Sequence, residues 1–162
     1  MSKLVNINIS VNELVELAQV SNQKAQLALY DRFSAKMLGA CRSYIKDLQF
    51  AEDVMITAFH KAFLNIHKYE PYGSFEGWLR RIMVRECISY LRVQKNKFNT
   101  VEIEDYHIGQ DAINTKDPDS DVIERVLDEL PVGCKTVFNL YVLEDYKHKE
   151  IAELLNISEG TS

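Results

Sequence analysis

"FEGWLRRIMVRECISYLR", residues 75–92, decides how this chain is read. It carries four arginines and two glutamates in a protein whose formal charge is −5. On a helical wheel at ~100° per residue, Arg81, Arg85 and Arg92 fall within roughly 40° of one another, with Trp78 and Ser89 beside them. Phe75, Leu79, Ile82, Met83, Cys87 and Leu91 take most of the opposite side. The spacing predicts an amphipathic helix running to about Lys95, with one face in a core and the other presenting guanidinium groups beside an indole. Arg80 lies elsewhere and serves a different edge.

The segments around it are helical too. "YEPYGS" (69–74) is a Pro/Gly turn, and ahead of it a helix is predicted from about Phe50 to His67. Its core stripe is Ala51, Met55, Ala58, Phe59, Ala62 and Ile66, with Glu52 and Asp53 in the first turn, favourable to the helix dipole. Further upstream, Ser10 with Glu13 forms a capping box for "VNELVELAQV". Ser21 is read as the cap of the next helix, where Leu27, Tyr30, Phe33, Met37 and Cys41 recur at three- and four-residue steps. Gly39 within it marks a bend or a close approach.

Downstream the pattern stops. Between Asn96 and Asp117 acidic and small polar residues accumulate without periodicity, too long a stretch for a packed connection. Asp117-Pro118 then reads as a helix start, followed by "DVIERVLDEL", "VGCKTVFNLYVLED" and "KHKEIAELLNIS", the last closed by Asn156 as a left-handed cap. The expected fold is all-α. Two small helical domains, residues 1–96 and 118–162, are joined by an acidic flexible linker over 97–117. Charge follows this division: about neutral to residue 74, +4 over 75–101, −7 over 102–124 and −3 thereafter.

Several function classes drop out. Cys41, Cys87 and Cys134 are widely separated and form no CxxC pair, and the four histidines show no ligand spacing, so neither a disulfide framework nor a metal site is indicated. No Ser/His/Asp set, phosphate-cradling glycine loop or paired-carboxylate site occurs, so neither an enzyme nor a cofactor is expected. No apolar run approaches the ~20 residues that span a bilayer, and the start lacks signal-peptide features. A cytoplasmic protein without membrane insertion is the default. Guanidinium groups attract phosphates, and aromatic planes stack on unpaired bases. The basic helix and the aromatic turn ahead of it therefore suit single-stranded nucleic acid better than a duplex groove. The same helix also reads as an ordinary solvated arginine face, and Trp78 as a core residue.

Three blocks in order, "FAEDVMITAFHKAFLNI", "FEGWLRRIMVRECISYLR" and "LDELPVGCKTVFNLYVLEDYKHKEIAELLNISEGTS", resemble the extracytoplasmic-function (ECF) sigma factors of bacterial RNA polymerase. The resemblance covers about residues 22–96 and 118–162. It implies a non-enzymatic transcription initiation factor of two helical domains, regions 2 and 4, that binds the β and β′ subunits of core polymerase and promoter DNA. It also leaves room for an anti-sigma protein as regulator. Ala51, Glu52, Asp53, Val54 and Phe59 match the block that meets the polymerase clamp. Ile56-Thr57 stand where the family commonly has Gln-Glu, leaving Ile56 and Phe63 to supply an apolar contact.

The resemblance further implies that Tyr69, Tyr72 and Ser74 surround a base flipped from the −10 element. Trp78, Arg81, Arg85, Glu86, Ser89 and Arg92 lie along the reading helix, and Arg85 replaces a frequent Asn. "KEIAELLNISEGTS" matches the first helix and turn of the −35-reading helix-turn-helix, at Lys149, Ala152, Asn156, Ser158 and Thr161. Asn156 takes a usual glycine position. Ser158 is expected to cap a recognition helix beginning near Glu159 or Gly160, so the chain reads as truncated within that motif. The linker's carboxylates would complement basic walls of the polymerase channel. Two other classes stay open: a helix-turn-helix regulator acting alone, and a helical interaction module that does not drive transcription.

Overall fold

A computed structural model describes residues 9–98 and 120–162. Every regular element among them is a helix. The chain divides into two compact units between Val93 and Gln94, each described here by itself.

In the first unit, α1 (Val11–Gln19) opens on the capping box the sequence predicts. Ser10 N–H donates to the Glu13 carboxylate at 2.8 Å, and Glu13 N–H returns to the Ser10 hydroxyl at 3.2 Å. The helix closes on Ser21, which sits in the left-handed region at φ 63. Ser21 N–H reaches the Ala18 carbonyl and Asn22 N–H the Leu17 carbonyl, the paired bonds of a Schellman closure. Ser21 is therefore not the cap of α2 (Gln23–Arg42). Asn22 is, its side-chain oxygen accepting from Lys24 N–H and Ala25 N–H. A left-handed serine carries the Cβ clash that glycine avoids. Ser21→Gly is expected to raise stability by about 0.5–1 kcal/mol, read as a higher urea midpoint at unchanged slope.

α2 buries Ala25, Leu29, Phe33, Met37, Ala40 and Cys41. Leu27, read as core, is 61% exposed; the buried stripe runs through Leu29 instead. Gly39 lies inside the unbroken α2 and admits no close neighbour, since a Cβ there would meet nothing within 4 Å.

α3 (Leu48–Asn65) starts two residues before its predicted start because Asp47 caps it, accepting from Phe50 N–H at 3.1 Å. Glu52 and Asp53 consequently lie beyond the first turn, which holds no acidic residue. The predicted stripe is buried throughout, and Val54 joins it. A 3-10 turn, Ile66–Lys68, then leads to Tyr69.

α4 (Phe75–Phe98) is flanked on two sides. Phe33 of α2 meets Phe75 at 5.6 Å, while Phe50 of α3 meets Tyr90 at 5.8 Å. Two neighbours widen the buried arc beyond one face. Val84 and Ile88 are buried beside Leu79, Met83 and Cys87, whereas Ile82 and Leu91 are only half-buried. Cys41 and Cys87 meet inside as free thiols. The hydrogen bond with Cys41 and burial push the Cys87 thiol up, so it stays protonated.

In the second unit, α5 (Ser120–Glu129), α6 (Val132–Val142) and α7 (His148–Leu155) follow. Lys135 of α6 pairs with Asp128 of α5 at 2.5 Å. Leu140, Ile151 and Ala152 form the small core, with Thr136 and Asn139 buried beside them. The Asp117-Pro118 helix start and most of the predicted linker, from residue 99, lie outside the described residues.

Candidate nucleic-acid interface

The 69–74 turn is built on Tyr69, which is 8% exposed. Its ring meets Phe75 edge-on at 5.6 Å and Trp78 at 5.4 Å. Its hydroxyl donates to the Gly73 carbonyl at 3.2 Å. Gly73 lies at φ 133, a conformation that a side chain rarely tolerates. Between them Tyr72 N–H closes onto the Glu70 carbonyl at 2.8 Å around Pro71. Ser74 then caps α4, its hydroxyl accepting from Gly77 N–H at 3.0 Å. Ring burial, two proline- and glycine-dependent bends and a helix cap fix the turn at both ends. At its apex the Tyr72 ring is 90% exposed, the most exposed large apolar side chain among the described residues.

Phe75 onward, the wheel is resolved. Arg81, Arg85, Ser89 and Arg92 are exposed and Trp78 half-buried, and these five occupy the arc that α2 and α3 leave open. Among the described residues none of the three arginines is ion-paired, whereas Lys36 pairs with Glu76 and Lys61 with Glu86. Unpaired guanidinium groups keep their hydrogen-bond donors available for phosphate. Glu86, also read as a reading-helix position, is half-buried. Both its oxygens accept from Lys61 at 2.8 Å, so it clasps α3 to α4 away from the arginine row.

The α3 block divides by exposure. Ala51, Val54 and Phe59 are buried in the unit's core, Glu52 and Phe63 are half-buried, and Asp53 and Ile56 are exposed. Ile56 borders a shallow groove with Tyr30, Ser34, Leu38 and Met55. The outward chemistry of this block is therefore Asp53, Ile56 and the edges of Glu52 and Phe63, while the buried members hold those four in place.

In the second unit, Lys147 N–H donates to the Glu150 carboxylate at the start of α7, and Lys149 is exposed. Ala152 is buried, and Asn156 closes the helix at φ 54, the left-handed cap read from sequence. Ser158 then takes N-cap geometry. Thr161 N–H donates to its hydroxyl at 3.2 Å and Ser162 N–H to its carbonyl at 3.3 Å. The order helix, left-handed turn and new cap is that of a helix-turn-helix.

One residue had no signal in the sequence. Gln19, at the end of α1, donates from its side-chain nitrogen to the Ile66 and Tyr69 carbonyls, each at 3.1 Å. A glutamine on the polar side of a short helix reads as solvated.

Residues 29–97 match the sigma-70 region 2 family and residues 120–162 the sigma-70 region 4 family. Region 2 followed by region 4 defines a transcription initiation factor of the sigma-70 class. The chain is 30% identical to the ECF RNA polymerase sigma factor SigM of Bacillus subtilis, over 73% of this chain and 74% of that one. It is 31% identical to RNA polymerase sigma factor SigV of the same organism, over 74% and 70%. With the ECF RNA polymerase sigma-E factor of Haemophilus influenzae it shares 27% identity over 91% and 85%. In the structure of CnrH in complex with the cytosolic domain of CnrY, one chain matches at TM-score 0.50 and 19% identity, covering 91% and 84%. That match is a likeness of fold. The chain belongs to the ECF sigma factors of RNA polymerase.

Proposed function

We propose that the α4 arginine row and the 69–74 turn capture the single-stranded −10 element, with Tyr72 as the stacking platform. The observation that carries this reading is a 90% exposed ring on a turn fixed at both ends, standing ahead of unpaired arginines. A preset platform costs little ordering on binding. Asp53, Ile56 and Phe63 then face the β′ clamp, and the α7 turn brings the second unit to the −35 duplex and the β subunit. The chain acts by binding alone, without catalysis, in the cytoplasm where polymerase and DNA meet. No helix among the described residues is long and apolar enough to cross a membrane. An anti-sigma protein is the expected regulator, since the chain of like fold was solved with a protein partner.

Run-off transcription with core polymerase and a promoter library tests the whole reading. Within it, Tyr72→Ala is expected to weaken capture of single-stranded promoter DNA about tenfold, the order of one lost base–aromatic stack. Tyr72→Phe keeps the ring and should retain capture. Equal loss in both variants would point to the hydroxyl and away from stacking.

A further inference from the structure

We propose that Gln19 is a positioning residue for the base-capturing turn, acting from a helix outside the part of the chain that matches region 2. That match begins at residue 29, after the end of α1. The inference rests on the reading of Tyr72 given above.

The geometry is specific to a primary amide. One side-chain nitrogen carries two N–H groups, and two backbone carbonyls, Ile66 and Tyr69, each take one at 3.1 Å. The opposite amide orientation would set oxygen against two carbonyl oxygens, so the partners fix how the group points. Both bonds are part-buried. Leu14, Val15 and Ala18 seat α1 in the core, and the Schellman closure at Ser21 ends the helix just after Gln19. The side chain therefore projects from a rigid base.

Its two acceptors bracket the point where the chain leaves the 3-10 turn. The Ile66 carbonyl also takes Tyr69 N–H at 3.0 Å, which closes that turn, and Tyr69 itself is already extended at φ −70 and ψ 125. Gln19 thus holds the first carbonyl of the 3-10 turn and the first carbonyl after it in one grip. From there the linkage is short. The Tyr69 backbone carries a buried ring whose hydroxyl holds Gly73, and the Tyr72 apex hangs between those two fixed points. Loosening Tyr69 leaves two carbonyls without the amide and lets the apex drift relative to the arginine row. The phosphate-facing arginines stay where they are. Gln19 therefore acts on stacking and leaves charge contacts alone.

The test uses holoenzyme reconstituted from the full chain and bacterial core polymerase. The probe is a short single-stranded oligonucleotide selected by the wild-type holoenzyme, with 2-aminopurine at the base it unstacks. Gln19→Met keeps length and neutrality but removes both donors; Gln19→Asn, one methylene shorter, is the second variant. Each should lose about tenfold in capture, the order of two hydrogen bonds, with the salt dependence of binding unchanged. In a Tyr72→Ala background the same changes should cost nothing further, because the ring they position is gone. Thermal unfolding and polymerase affinity are followed in parallel. Full capture by both variants overturns the proposal. So does an equal loss with and without Tyr72, or a loss matched by falling polymerase affinity, since either marks general support of the fold. If Tyr72→Ala alone loses nothing, the reading of the turn itself fails, whatever Gln19 does.

Discussion

Alanine at both Arg81 and Arg85 is expected to weaken capture of single-stranded promoter DNA about 25-fold at ~0.1 M salt, with polymerase affinity unchanged. The magnitude follows from counterion release: each phosphate contact on a single strand contributes about 0.7 to the salt slope, so two lost contacts lower it by about 1.4. Both side chains are exposed and neither is ion-paired among the described residues, so the substitution leaves the fold intact. Oligonucleotide titration across a salt series measures both the loss and the slope. Lysine at the two positions should recover most of the slope while losing any guanidinium-specific geometry. If polymerase affinity drops by the same factor, the separation of a DNA face on α4 from a polymerase face on α3 is wrong.

Leu79→Ala should destabilise the first unit by about 2–5 kcal/mol. Leu79 is fully buried in the second turn of α4, the helix that both α2 and α3 cover, so the vacated space cannot collapse without moving two helices. Domains of this size hold about 5–15 kcal/mol in total, so the change removes a large share of it. Urea unfolding followed by circular dichroism reads it as a lower midpoint at the same slope. Ile56→Ala, on an exposed site, is the control and should shift the midpoint little. A cost below about 1 kcal/mol for Leu79→Ala would mean that α4 is not the central element.

Local sequence carried most of the helical framework. The α3 stripe, the Ser10–Glu13 box and the Asn156 turn depend on residues three or four apart, and each lies where its spacing puts it. The arginine row was legible for the same reason. What escaped depended on neighbours distant in sequence. A wheel shows which residues share a side but not how many helices press on it, so Val84 and Ile88 were missed while Ile82 and Leu91 were overrated. Nothing in local spacing shows that Glu86 pairs with Lys61, 25 residues earlier. Gln19 has partners 47 and 50 residues away. At Ser21 and Asn22 two adjacent residues both have cap chemistry, and the closure of the preceding helix decides between them.

The double flanking of α4 also bears on how such a protein can be retargeted. More than half of its circumference is committed to packing, and Glu86 to the clasp with Lys61. Trp78, Arg81, Arg85, Ser89 and Arg92 remain as a set of open positions on a rigid rod. On the proposed reading of this face, a library of a few codons, with Arg85 and Ser89 varied first, is the place to select new promoter preferences while the scaffold beneath stays the same.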